Sequence, residues 1–152
     1  MATSTLIQKL DVQADGFGPT TSNRRQVETF LSGGVIGVGD WVQFNTGASD
    51  ANRVLSVIEA VATFTLGNPL VVGVALDAAT ASGQTIRVVV SGYCEGANVD
   101  NAVTAAGTAL VVDGTGAGIA NALAAADTSG ACGVSLEAAA AGKCDVWVYK
   151  NF

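Results

Sequence analysis

Histidine is absent from this 152-residue chain, aromatic residues make up 6% of it, and there are only two prolines and one methionine. The missing histidine removes the usual general base, the Ser-His and Cys-His nucleophile pairs and the commonest transition-metal ligand. Most enzyme classes are thereby disfavoured, and neither catalytic activity nor a cofactor is expected. Basic residues are also scarce, seven against thirteen acids, for a net charge of −6. That sign is wrong for neutralising a phosphate backbone, so no nucleic-acid partner is expected. Cys94, Cys132 and Cys144 are an odd number without paired spacing, which implies neither a disulfide framework nor a zinc knuckle. They read as small buried hydrophobes.

Long apolar runs are few. Ala60 to Leu76 (AVATFTLGNPLVVGVAL) carries no charge across 17 residues, the lower bound for a membrane span. Gly67-Asn68-Pro69 in its middle is turn chemistry between two β-branched flanks, so two strands are expected and no membrane partner. The first residues, MATSTLIQKLDVQADG, lack a basic region followed by an apolar stretch, so secretion by a signal peptide is not expected.

What is abundant is alanine, valine and glycine, with 49% hydrophobic residues and 19 glycines. From Val35 onward, short β-rich runs alternate with turn residues: Trp41–Asn45, Arg53–Ala60, Thr63–Leu66, Leu70–Leu76, Thr85–Gly92, Ala109–Val112, Gly133–Leu136 and Asp145–Lys150. This is the pattern of an all-β barrel or sandwich. In Asp145–Lys150 both faces carry large residues, which predicts cover on each side by core or by a partner. Only Ile119–Asp127 (IANALAAAD) reads as helical, from its alanine and leucine content.

Two segments repeat. GVALDAATASGQTIRVVV from Gly73 matches GVSLEAAAAGKCDVWVY from Gly133, and upstream Gly39-Asp40-Trp41-Val42-Gln43-Phe44 matches Gly107-Thr108-Ala109-Leu110-Val111-Val112 more weakly. A duplicated β-unit is the reading, with copies over approximately 35–96 and 102–152 inside a β-domain of residues 34–152. Pairing the copies would protect sheet edges that either alone would expose. Residues 1–33 hold three of the seven basic residues, Lys9, Arg24 and Arg25, and little apolar period. They read as an N-terminal arm, either a poorly ordered terminus or an extended segment that orders on a partner.

Candidate chemical sites are weak. Asp113-Gly114-Thr115-Gly116-Ala117-Gly118 has neither the dinucleotide spacing nor the Gly-Lys-Ser/Thr of a phosphate loop. Asn98, Asp100, Asn101 and Asp113 lack the donor alternation of a calcium loop, and no metal site is expected. Arg24 and Glu28 have the spacing of a helical surface pair, while the adjacent arginines Arg24 and Arg25 also suit bidentate contact with carboxylates of another chain. Trp41, Trp147, Tyr149 and Phe152 are large groups in a chain short of them, and are candidates for subunit interfaces as well as core.

Three segments carry a resemblance. Asn23-Arg24-Arg25-Gln26-Val27-Glu28-Thr29-Phe30, then Gly39-Asp40-Trp41-Val42, then the Gly-Val-Ala-Leu-Asp-Ala-Ala box from Gly73 to Ala79 resemble head decoration (capsid cement) proteins of tailed bacteriophages. The similarity covers roughly residues 20 to 150. It implies a small, mainly β structural protein on the outer surface of the virion head, a homotrimer bridging major capsid protein subunits and assembled in the host cytoplasm. It also implies that Arg24, Arg25 and Phe30, in the arm, touch the shell. The same composition permits another virion or surface module, such as a head-fibre or tail component.

Overall fold

The computed structural model describes residues 25–61, 68–112, 116–123 and 130–149. The chain is all-β, and no α-helix occurs among the described residues. Among the described residues nine strands form one sheet: β1 (Arg25–Ser32), β2 (Trp41–Phe44), β3 (Ser56–Glu59), β4 (Val71–Ala75), β5 (Thr85–Asn98), β6 (Ala109–Val111), β7 (Asn121–Ala122), β8 (Gly133–Ser135) and β9 (Lys143–Val148). Their order is β1-β3-β2-β4-β5-β9-β8-β6-β7, and an added β1–β5 pairing closes the first five into a barrel. The remaining four run on from β5, whose 14 residues serve both parts.

Read outward from the β5–β9 pair, the sheet runs β4-β2-β3 on one side and β8-β6-β7 on the other, so the two halves have the same connectivity. The bonds repeat as well. Gly39 donates to the carbonyl of Ala75 at 2.9 Å, and Gly107 to that of Ser135 at 2.8 Å. Leu76 donates to Arg87 and Leu136 to Asp145, both at 2.8 Å. The acid after each leucine caps the same backbone amide, Asp77 that of Arg87 at 3.0 Å and Glu137 that of Asp145 at 3.1 Å. The repeated sequence thus builds a repeated hydrogen-bond scheme.

Two cores follow from the curl of the sheet. Phe30, Val42, Val57, Val72, Ile86, Val88 and Val90 fill the barrel interior. Trp41, Val71, Val74 and Val89 leave the barrel wall on its other side and pack with Leu110, Val146, Val148 and the three cysteines of the second half. All five residues of β4 are buried for this reason, since each face of the strand meets a core. The cysteines are free and buried, and burial pushes their thiols up to about 12 at Cys94 and Cys132 and about 11 at Cys144. They behave as small core residues.

Several expectations need correction. Residues Arg25–Ser32 are not arm: β1 pairs with β5 from Arg25↔Gly92 to Leu31↔Thr85 and runs parallel to β3, so the β-domain starts at or before Arg25. A register shift between Gln26 and Val27 interrupts its alternation, and a buried serine, Ser32, takes an inward place by bonding Ala81 and Gln84. Of the helical surface pair proposed for Arg24 and Glu28, Glu28 lies in an extended strand and Arg24 is outside the described residues. Within Ile119–Asp127, the described part is strand: Ala120 bridges Val99 and β7 pairs with β6. Tertiary pairing there overrides alanine's helical preference. The strand expected at Thr63–Leu66 lies outside the described residues.

One exposed pair has a measurable signature. Arg87 grips Asp77 through two bonds, Nε to Oδ2 at 2.9 Å and a terminal nitrogen to Oδ1 at 2.7 Å. This bidentate grip holds the Asp77 carboxyl down at about 2. A carboxyl depressed in the folded state stabilises it above the unfolded value near 4, and that contribution disappears as pH falls towards 2. A carboxyl-carbon NMR titration is expected to give Asp77 a midpoint near 2, moved back towards 3.8 by Arg87→Ala. An ordinary midpoint in the unmodified protein would show that the pair does not persist in solution.

Candidate functional site

The large side chains singled out in the sequence divide between inside and outside. Phe30 is buried in the barrel, edge-to-face with Phe44 at 6.4 Å between ring centres. Trp41 is fully buried, its indole N–H donating to the Asn98 carbonyl at 3.1 Å. Neither presents its side chain to a partner, so Phe30 as a shell contact and Trp41 as a subunit contact are both corrected to core. Arg25 is half-buried at the start of β1. Trp147 and Tyr149 are exposed, at 37% and 41%. Arg24 and Phe152 lie outside the described residues.

The last strand explains the split. Along β9 the pattern alternates, with Cys144, Val146 and Val148 buried and Lys143 and Trp147 exposed. Large residues on both faces were expected to be covered on both sides; among the described residues only one side is. Directly paired residues of a sheet share a face, so the printed register places Tyr93, Trp147, Val134 and Ala109 in one row across β5, β9, β8 and β6. Trp147 is exposed and the other three are half-buried. Sequence reasoning missed Tyr93 and Val134; Val134 stood in the repeat, but nothing in the sequence told which face it joins.

A hydrogen-bonded support lies beside the row. The Tyr93 hydroxyl donates to Asp145 Oδ2 at 2.6 Å, while Asp145 Oδ1 accepts the Gly96 amide at 3.1 Å. The bond to Asp145, with burial second, pushes the Tyr93 hydroxyl up to about 12. The phenol therefore stays neutral and its ring is held in place. The four members themselves carry no formal charge, and the Asp145 carboxylate lies at their edge, bonded to Tyr93.

A second polar feature sits at the junction of the halves. Asp40, buried at the turn into β2, accepts from the Gly37 amide and from Asn98 Nδ2 at 2.6 Å, and Asn98 Oδ1 accepts from Lys143 Nζ at 2.9 Å. Burial, then the neighbouring Asp40 carboxylate, raises the Glu59 carboxyl above its usual range. An open cleft of about 340 Å³ adjoins Asp40, Asn98, Asp100, Asn101, Ile119 and Gly142. Its polar groups are engaged in structure: Asp100 accepts from the Ala102 amide at 2.7 Å and Asn101 from the Gly142 amide at 2.9 Å. Among the described residues no group of three or more Cys, Asp or Glu is placed to hold a metal, and no helix is long and apolar enough to cross a membrane.

These features define a class of architecture, a closed five-stranded β-barrel continued by a four-stranded sheet that folds against its wall. Compared with models of known protein families and with curated protein sequences, the chain matches none.

Proposed function

We propose that this chain is a capsid decoration protein of a tailed bacteriophage, which binds the outer surface of the head and stabilises the shell by bridging major capsid protein subunits. The observation that carries the reading is the outer face of the second half, where Trp147, Tyr149 and Leu136 stand exposed on a sheet that, among the described residues, is packed only on its other side. A tryptophan and a tyrosine on a rigid support are adhesive groups of the kind that dominate interfaces. Two of the segments that carry the resemblance are bonded to each other, and Phe30 of the third shares the barrel core with their Val42, Ala75 and Ala79. Ala75, in the Gly73–Ala79 box, accepts from Gly39 and donates to Asp40, each at 2.9 Å, and Ile36 bridges Ala79 beneath Phe30. Multivalent attachment of such a clamp, as a homotrimer, raises effective affinity without any single strong contact.

The test is binding to heads of the phage that encodes the chain. Purified protein is expected to co-sediment with expanded shells to a saturating ratio and to raise their resistance to heat and osmotic shock. No binding, or density on a fibre or tail instead of the head in a particle reconstruction, would overturn the reading. The arm's share is tested by removing residues 1–24, expected to weaken shell binding while the β-domain stays folded. Removal of 1–33 would instead take away β1, which closes the barrel.

A further inference from the structure

An amine, a primary amide and a buried carboxyl are bonded in series where the two halves meet. Asn98 and Lys143 are directly paired on β5 and β9, so their side chains leave the sheet on one face with β-carbons about 5 Å apart. Lys143 Nζ donates to Asn98 Oδ1 at 2.9 Å, and the amide carbon Cγ is the next atom. From its other end the amide donates, Nδ2 to Asp40 Oδ1 at 2.6 Å. Asp40 is buried and its second oxygen accepts the Gly37 amide, which fixes the carboxyl against the asparagine. Gly39, at a φ of 89°, passes close over the pair: a β-carbon there would stand 3.2 Å from Nζ and 3.3 Å from Oδ1. The glycine leaves the two groups free to meet.

We propose that Lys143 and Asn98 become joined by an intramolecular isopeptide bond, with Asp40 as the acid–base catalyst. The lone pair of the neutral amine attacks Cγ, forming the Nζ–Cγ bond and placing the carbonyl electron pair on Oδ1. Asp40 takes a proton from Nζ in this tetrahedral intermediate and returns it to Nδ2; the carbonyl re-forms, the Cγ–Nδ2 bond breaks and ammonia leaves. No oxidant or co-reactant is consumed. Amines do not attack amides in dilute water, but groups held in contact have an effective concentration on the order of 10⁵ M or more. A placed carboxyl adds about 10²–10⁴-fold. Lys143 is exposed and an open cleft adjoins Asp40 and Asn98, so ammonia has a way out. The bond would close a covalent loop around β6, β7 and β8, tying the end of β5 to the start of β9.

The inference does not depend on capsid binding, and its experiment uses the full chain alone. After several days at about pH 8, which favours the neutral amine, intact-mass spectrometry is expected to find the protein lighter than its sequence by one ammonia, about 17 Da. Trypsin should then fail to cut after Lys143, leaving one peptide from Val88 to Lys150 that carries the whole deficit. This second reading separates the cross-link from a succinimide, which loses the same ammonia but leaves Lys143 cleavable. Lys143→Arg is expected to keep the full mass and to melt at a lower temperature than the cross-linked protein. Asp40→Asn is expected to slow the reaction at least about 100-fold. Because Asp40 is buried and its variant can fail to fold, the exposed Lys143→Arg carries the test by itself. Full mass with cleavage at Lys143, or loss of ammonia that persists in Lys143→Arg, overturns the proposal, whatever the outcome with capsids.

Discussion

Gly73→Ala is expected to destabilise the protein by about 4 kcal/mol or more, the tail of single-substitution effects reached only by steric conflict or a cavity in the core. Gly73 lies in β4 opposite Val42, and a β-carbon there would stand 2.0 Å from the Val89 carbonyl oxygen and 2.8 Å from its carbon. The obstacle is backbone of a central strand, so no rotamer change relieves it; β4 and β5 would have to separate, and both cores use that pair. Its counterpart Gly133 has the same neighbour in the second half, the Trp147 carbonyl oxygen at 2.7 Å, with the Trp41 ring at 3.0 Å. A smaller loss of roughly 2–3 kcal/mol is expected for Gly133→Ala, because β8 is a short strand nearer the sheet's free end. Gly34 has nothing within 4 Å of a built β-carbon, so Gly34→Ala should stay within about 0.5 kcal/mol. Urea unfolding of the three variants checks the order, and equal losses at Gly73 and Gly34 would show that the close approach is not maintained in solution.

Both glycines open the repeated Gly-Val-x-Leu segment, which shows where the sequence was legible and where it was not. β-Branched runs marked β2, β4, β6, β8 and β9 to within a residue or two, and the duplicated segments correspond to duplicated bonds. β1 escaped notice because its inward face mixes Phe30 with Ser32 and its register shifts after Gln26. The second half of β5 escaped because the expected strand stopped at Gly92, ahead of a stretch that contains Gly96. Both have positive φ, at 92° and 65°, but the strand continues through them, shifting register between Cys94 and Ala97. β7 has only two residues, held by pairing with β6, and no local period can announce such a strand. For the surface, alternation in Val146-Trp147-Val148-Tyr149 separates two faces without naming the inner one. The curl of the sheet decides that by placing Val146 and Val148 against Trp41 and Val89. Trp41 sits in the more weakly matching segment, aligned with Ala109, and the choice between core and interface that the sequence left for it is made by the tertiary packing.

Trp41→Ala is expected to cost about 3–5 kcal/mol, the range for truncating a buried aromatic, and the damage should be uneven. The side chain fills the space between barrel wall and second sheet, touching Gly133 and donating to Asn98, while the barrel interior is a separate cluster that does not contain it. Loss of the ring therefore removes the filling between layers and leaves Phe30, Val42, Val72 and Val88 packed as before. Trp41→Phe should lose less, since it restores part of the volume, but it still removes the indole donor, worth about 1 kcal/mol. The Asn98 carbonyl keeps one partner, the Ala120 amide at 3.2 Å. Native-state hydrogen exchange resolves the asymmetry: amides of β6, β8 and β9 are expected to lose protection in Trp41→Ala well before those of β1–β4, reporting a sub-global opening in which the second sheet lifts from the barrel. Uniform loss across all strands would mean that the two cores unfold as a single cooperative unit, and a total cost below about 1 kcal/mol would mean that the layers are held by something other than this residue.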